Sequence, residues 1–116
     1  MSGESTEFRK PSGAEERLIR ALVTRSADLQ LPSDWNKRLR VRAMNDGGMG
    51  SLRLSTSDNE PTHRELGKIV AELQFTDADG IQVLVSLNTD RDGHLFELDV
   101  WKTDYRPLIG IPDQLS

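Results

Sequence analysis

Between residues 67 and 102, apolar side chains return at every second position in three successive runs, and the connections between the runs limit how they can pair. Ile69, Ala71, Leu73 and Phe75 make the first apolar set, Ile81, Val83, Val85 and Leu87 the second, and Phe96, Leu98 and Val100 the third. A period of two makes parity decisive, because a slip of one residue turns every apolar group to the wrong face. The first two sets are odd-numbered, so partner numbers must add to an even total. A three-residue loop, Ala78-Asp79-Gly80 with a left-handed glycine, meets this by closing Asp77 on Ile81, and Leu73 then faces Val85. The third set is even-numbered and needs an odd total. A two-residue Asp92-Gly93 turn closing Arg91 on His94 supplies it, and Leu87 then faces Leu98. The three strands are expected over roughly 67–76, 81–89 and 94–102.

Upstream the pattern changes. Ser12-Gly13-Ala14-Glu15 fits a capping box, and Leu18, Ile19, Leu22 and Val23, extended by Ala14 and Ser26, make an apolar stripe of helical spacing. After Leu31-Pro32-Ser33-Asp34, Leu39, Val41 and Ala43 alternate with Arg38, Arg40 and Arg42, as in a half-buried strand. A turn over Asn45–Gly50 leads to a second short strand carrying Leu52 and Leu54, which is expected to pair with the first. Residues 55 to 63 form a polar loop. The fold class is therefore α+β: an N-terminal helix packed on one face of an antiparallel sheet of about five strands, with Pro107–Pro112 lying along the core. With 116 residues, 35% of them apolar, there is material for one modest core, so residues 1–11 are expected as a flexible leader and 12–116 as a single domain.

Composition removes several chemistries. The chain contains no cysteine, which excludes disulfides, thiolate nucleophiles and cysteine-held metals. No apolar run approaches the ~20 residues of a bilayer span, and the acidic, polar start is unlike a signal peptide, so no membrane role and a cytoplasmic location are expected. Residues 1 to 58 hold ten Lys/Arg against eight Asp/Glu, whereas residues 59 to 116 hold five against eleven. The acidic second half disfavours nucleic acid, which requires a basic surface to release counterions. The arginine stripe of the first strand, Arg38, Arg40 and Arg42, with Trp35 just before it, could follow a phosphate backbone, but six aromatic residues are too few to build a stacking platform as well as a core. A cross-sheet salt ladder in which these arginines and Arg53 answer the acidic strands is the favoured reading.

Four constellations carry potential chemistry. Asn88, Asp90, Asp92, Gly93 and Asp99 have the spacing of a calcium loop, but their flanks alternate like strands, so a hairpin is the favoured reading. Asp46, Gly47, Gly48, Met49, Gly50 and Ser51 make a glycine-rich loop of the kind whose N–H groups cradle phosphate. No lysine–serine pair or helix follows it. His63 and His94 are the only histidines. Glu97 and Asp99 could act as a carboxylate pair, though on one strand face they fit a solvated or partner-facing stripe better. No catalytic residue, metal site or cofactor is assigned.

The face opposite the helix offers the strongest functional signal. The registers place Val70, Asn88 and Glu97 in one row, Glu72, Ser86 and Asp99 in the next, and Gln74, Leu84 and Trp101 in a third. Three carboxylates share this face with apolar Leu84, Leu95 and Trp101, an arrangement that invites a cation or a partner.

The stretches Arg42-Ala43-Met44-Asn45-Asp46-Gly47-Gly48-Met49-Gly50-Ser51-Leu52, Leu95-Phe96-Glu97-Leu98-Asp99-Val100-Trp101-Lys102 and Asp104-Tyr105-Arg106-Pro107-Leu108-Ile109 resemble a family of small bacterial proteins known only as a domain of unknown function. Phe8-Arg9-Lys10-Pro11 and Glu15-Glu16-Arg17 fit its start, and the likeness runs from about residue 8 to 112. The resemblance implies a bacterial, single-domain, cytosolic protein and carries over no catalytic residue.

The expectation is a non-enzymatic protein-interaction module of immunity or antitoxin type, or a homo-oligomer. It would bind a basic protein partner through Glu72, Leu84, Ser86, Asn88, Glu97, Asp99 and Trp101, with Trp101 as aromatic anchor. The alternative is a small-molecule, metal or nucleotide site, hydrolytic or not, at the Asp46–Ser51 loop or among Glu72, Glu97 and Asp99.

Overall fold

The computed structural model describes residues 8–26, 29–56 and 63–115. The leader up to residue 7, and residues 57–62 of the expected polar loop, lie outside them. Helix α1 (Gly13–Arg25) starts on the expected capping box: the Ser12 hydroxyl accepts from Glu15 N–H at 3.1 Å, and Ser12 N–H donates to the Glu15 carboxylate at 2.8 Å. Its apolar stripe buries Leu18, Ile19 and Leu22 against the sheet. A one-turn helix α2 (Trp35–Arg38) precedes strand β1 (Arg40–Ala43), so Arg38 belongs to a helix and pairs with Asp34 at 3.1 Å, where alternation alone placed it on a strand.

Strands β2 (Leu52–Ser55), β3 (Leu66–Thr76), β4 (Gln82–Asp90) and β5 (Leu95–Lys102) complete an antiparallel sheet in the order β1-β2-β5-β4-β3. The fold is α+β, with α1 packed on one sheet face. Leu39, Val41, Leu54, Leu73, Val85, Leu87, Leu98 and Val100 form the centre of the core with α1, and Leu108 and Ile111 of the C-terminal segment pack against it. Burial of such aliphatic side chains supplies about 1.5–3 kcal/mol each.

The expected registers hold through the middle of the sheet: Leu73 faces Val85 and Leu87 faces Leu98. Asp77 N–H bonds Ile81 O at 2.9 Å, and Gly80 at φ 84° takes the left-handed position of the three-residue loop. The β4–β5 turn differs from expectation. Asp90 N–H bonds His94 O at 2.8 Å, so the loop is Arg91-Asp92-Gly93, and a bulge beside Asn88 makes Phe96 an extra residue in β5. A longer loop and one bulge restore the same parity, which is why the register beyond the bulge is unchanged. The bulge has a cost for the expected faces: Leu95 is 0% exposed within the core, not on the outer face. Phe96 is buried outside that cluster, with the Arg53 and Arg64 guanidiniums 4.4 and 4.8 Å from its ring centroid.

A second irregularity lies in β3, where Ile69, not Val70, stands opposite Asn88. Ile69 is 54% exposed, and Val70 packs toward the core in its place. The irregularity starts beside Gly67, which approaches the Asp90–Arg91 backbone so closely that only a residue without Cβ fits.

Candidate functional site

The outer sheet face gathers five of the seven residues expected to meet a partner. Glu72 stands opposite Ser86, and Ser86 opposite Asp99, while Gln74, Leu84 and Trp101 form the adjoining row. Glu72, Gln74, Leu84, Ser86, Asp99 and Trp101 line a concavity of about 400 Å³. Trp101 is 41% exposed, and Leu84 is also open to solvent. Among the described residues, neither Glu72 nor Asp99 has a cation at ion-pair distance. The remaining two expected residues lie beside the concavity. Asn88 is buried, with Nδ2 3.5 Å from Glu97 O. Glu97 is partly covered and meets Arg53 at 3.8 Å.

Arg53–Glu97 is the one rung, among the described residues, by which the arginines of β1 and β2 answer the acidic strands. Arg42 lies 5.0 Å from the Phe8 ring, and Arg40 donates to Lys37 O and Leu39 O. Burial raises the Glu97 pKa, Arg53 opposes that, and the neighbouring Asp99 charge adds to it. The face is thus split, basic toward β1 and acidic on β5 and β3, with uncharged β4 residues between them. Trp35, the aromatic residue near the arginines, packs on the core with Arg20 5.6 Å from its ring.

The glycine loop has a different local chemistry. Asp46 accepts from Met49 N–H at 3.1 Å and from Ser51 N–H at 2.8 Å, so its own carboxylate occupies donors that would otherwise face an anion. Gly48 O accepts from Leu108 N–H at 3.0 Å. Gly48 and Gly50, both at positive φ, sit against Pro107 and Leu108. The Ser51 hydroxyl accepts from Val100 N–H at 2.9 Å and lies 3.2 Å from Val100 O, extending the β2–β5 contact past the main-chain ladder.

The residues with calcium spacing build the β4–β5 hairpin. The Asp90 carboxylate accepts from Asp92 and His94 N–H and from Arg64 Nε at 3.0 Å. Burial would raise its pKa, but these donors outweigh it and hold the carboxyl below its ordinary range. His94 and His63 are both exposed on loops.

A family model for a domain of unknown function, DUF6984, matches residues 8–112. The chain belongs to the DUF6984 family. No curated protein and no solved structure matches it. Two features of this DUF6984 chain escape sequence reasoning. Tyr105 holds φ at 66°, a left-handed conformation uncommon outside glycine, and its ring, 71% exposed, stands 6.0 Å from that of Trp101. Lys102 is buried, with Nζ 2.8 Å from Asp77 Oδ2 and 2.7 Å from Asp79 Oδ2. An alternating strand gives Lys102 an inward position next to Val100, a signal that its charge masks. Among the described residues, no helix is long and apolar enough to cross a membrane.

Proposed function

We propose that the chain is a non-enzymatic protein-interaction module of immunity or antitoxin type. It binds a basic partner through the acidic sheet face, with Trp101 as anchor. The observation that carries this reading is the concavity in which Glu72 and Asp99, without cations at ion-pair distance among the described residues, flank exposed Leu84 and Trp101 on the face that α1 leaves uncovered. Aromatic anchors in such settings dominate association energies, and complementary charge supplies specificity and on-rate. The Trp101–Tyr105 pair adds amphipathic area at the rim. The alternative of a phosphate or nucleotide at the Asp46–Ser51 loop has less support, because Asp46 already occupies the N–H groups of Met49 and Ser51.

The test compares wild type, Trp101→Ala and the double charge reversal Glu72→Lys/Asp99→Lys in affinity capture from the source cell, followed by titration with the captured protein. Each variant is first checked by circular dichroism and urea unfolding. Loss of a stoichiometric basic partner in both variants, with folding unchanged, supports the proposal. Retained binding in the charge-reversed protein overturns it.

A further inference from the structure

The two margins of the sheet are unlike. At β1, Arg9 exchanges both backbone hydrogen bonds with Val41, at 2.8 and 2.7 Å, so that margin is occupied. β3 forms the other margin. Asp77 N–H bonds Ile81 O, and the pairs Phe75–Val83 and Leu73–Val85 continue the same parity. Antiparallel ladders alternate bonded and non-bonded pairs, so the N–H and C=O groups of Glu72, Gln74 and Thr76 point away from β4. All three residues are exposed, and the ladder from Ala71 to Thr76 has no bulge. Proteins ordinarily blunt such margins with charge, proline or distortion. Here the distortion is confined to Leu66–Ala71.

We infer that an extended basic segment of the partner adds antiparallel to β3 as a sixth strand, its alternate arginine or lysine side chains lying beside Glu72 on the acidic face. The inference deepens, and rests on, the reading of the acidic face as a protein-binding surface. Directly opposed residues share a face, with Cβ atoms about 5 Å apart, so the residue bonded to Glu72 places its side chain on the acidic face. The intervening residues of that strand fall beside Leu73 and Phe75, where β-branched apolar groups fit.

Charge selects this occupant over a second copy of the chain. Two copies paired about Gln74 would set Glu72 opposite Thr76 and gain no complementary charge, while pairing about Leu73 or Glu72 would bring the two Glu72 carboxylates diagonal or opposite, where like charges across strands are destabilising. The main-chain bonds supply affinity and the acidic face supplies selectivity, the usual division of roles in strand addition.

The probe is an eight-residue peptide, acetyl-(Arg-Val)4-amide, added to the ¹⁵N-labelled protein. Its counterpart carries N-methylarginine throughout, keeping the charge but removing the N–H groups that face β3. The expected result is at least tenfold slower amide exchange at Glu72, Gln74 and Thr76, with binding at least tenfold tighter than the N-methylated peptide. Equal binding of both peptides without slowed exchange overturns strand addition and leaves the acidic-face reading standing. If neither peptide moves the Glu72, Asp99 or Trp101 resonances, both are overturned. If the three amides are already protected in the free protein and light scattering gives a dimer, a second copy holds the margin and the inference is overturned.

Discussion

Lys102 Nζ and Asp77 Oδ2 stand 2.8 Å apart, with both side chains about 1% exposed. Taking two charges from water is costly, and their mutual attraction offsets that only when the remaining donors and acceptors are satisfied. Here they are: Asp77 also accepts from the N–H groups of Ala78, Ile109 and Gly110, while Lys102 also reaches Asp79 and Pro107 O. One carboxylate therefore ties the β3–β4 turn, the end of β5 and the C-terminal segment together. Lys102→Met is expected to lower the urea midpoint at pH 7 more than Trp101→Ala does, because it strands the Asp77 charge. Lys102→Met/Asp77→Asn should recover part of the loss, a non-additivity that unfolding of the three variants measures directly.

The same group ties the stability of the fold to acid pH. Burial alone would raise the Asp77 pKa, yet the Ile109 N–H, the Lys102 ammonium and the Ala78 and Gly110 N–H groups outweigh it and hold the carboxyl down to about 2. A depressed carboxyl pKa stabilises the folded state fully above its ordinary value of 3.8 and progressively less as pH falls through the folded value. The thermal midpoint should therefore drop between pH 4 and pH 2, with a shallower drop in Asp77→Asn. Glu97 has the opposite sign: its raised pKa means that ionisation on going from acid to neutral pH costs stability. Glu97→Gln should therefore gain relative stability as pH rises.

Among the described residues, the Arg64 guanidinium donates to Asp90 Oδ2 at 3.0 Å, Leu54 O at 2.8 Å and Leu95 O at 2.6 Å. Such a fork matches a planar guanidinium and no point charge. Arg64→Ala should destabilise by about 3–5 kcal/mol, the range for removing one member of a buried pair. Arg64→Lys should rescue only part of this, as denaturant unfolding would show.

Gly67→Ala is expected to cost about 1–3 kcal/mol by overpacking, since a Cβ there collides with the Asp90 carbonyl. Gly13→Ala provides the control, because a Cβ at that position meets nothing within 4 Å.

Where local chemistry and tertiary structure agreed, the fold was legible in the residues. Ser12 and Glu15 marked the helix start, and the Ala78-Asp79-Gly80 loop together with odd-numbered apolar positions fixed the β3–β4 register. The β4–β5 register was also legible, although its turn was not, because a three-residue loop plus one bulge has the same parity as a two-residue loop. Leu95 and Ile69 fell on the wrong faces for one reason: a bulge is set by backbone contacts between strands, here at Asn88 and Gly67, which hydrophobic alternation does not encode. Within the candidate site, Glu72, Ser86 and Asp99 followed from register alone. Tyr105 did not, since its place beside Trp101 depends on a left-handed residue just after β5. Arg64 carries no signal in the sequence, and only the folded chain brings it to Asp90, 26 positions away.

The Arg9–Val41 bridge bears on stoichiometry. Growth of a sheet into a fibre or an open chain of subunits requires two receptive margins on every molecule. A protein whose own Arg9 takes up the outward hydrogen bonds of Val41 has one margin less open to added strands than the other. Under the strand addition proposed above, the expected stoichiometry is therefore one guest strand per molecule, taken up at β3.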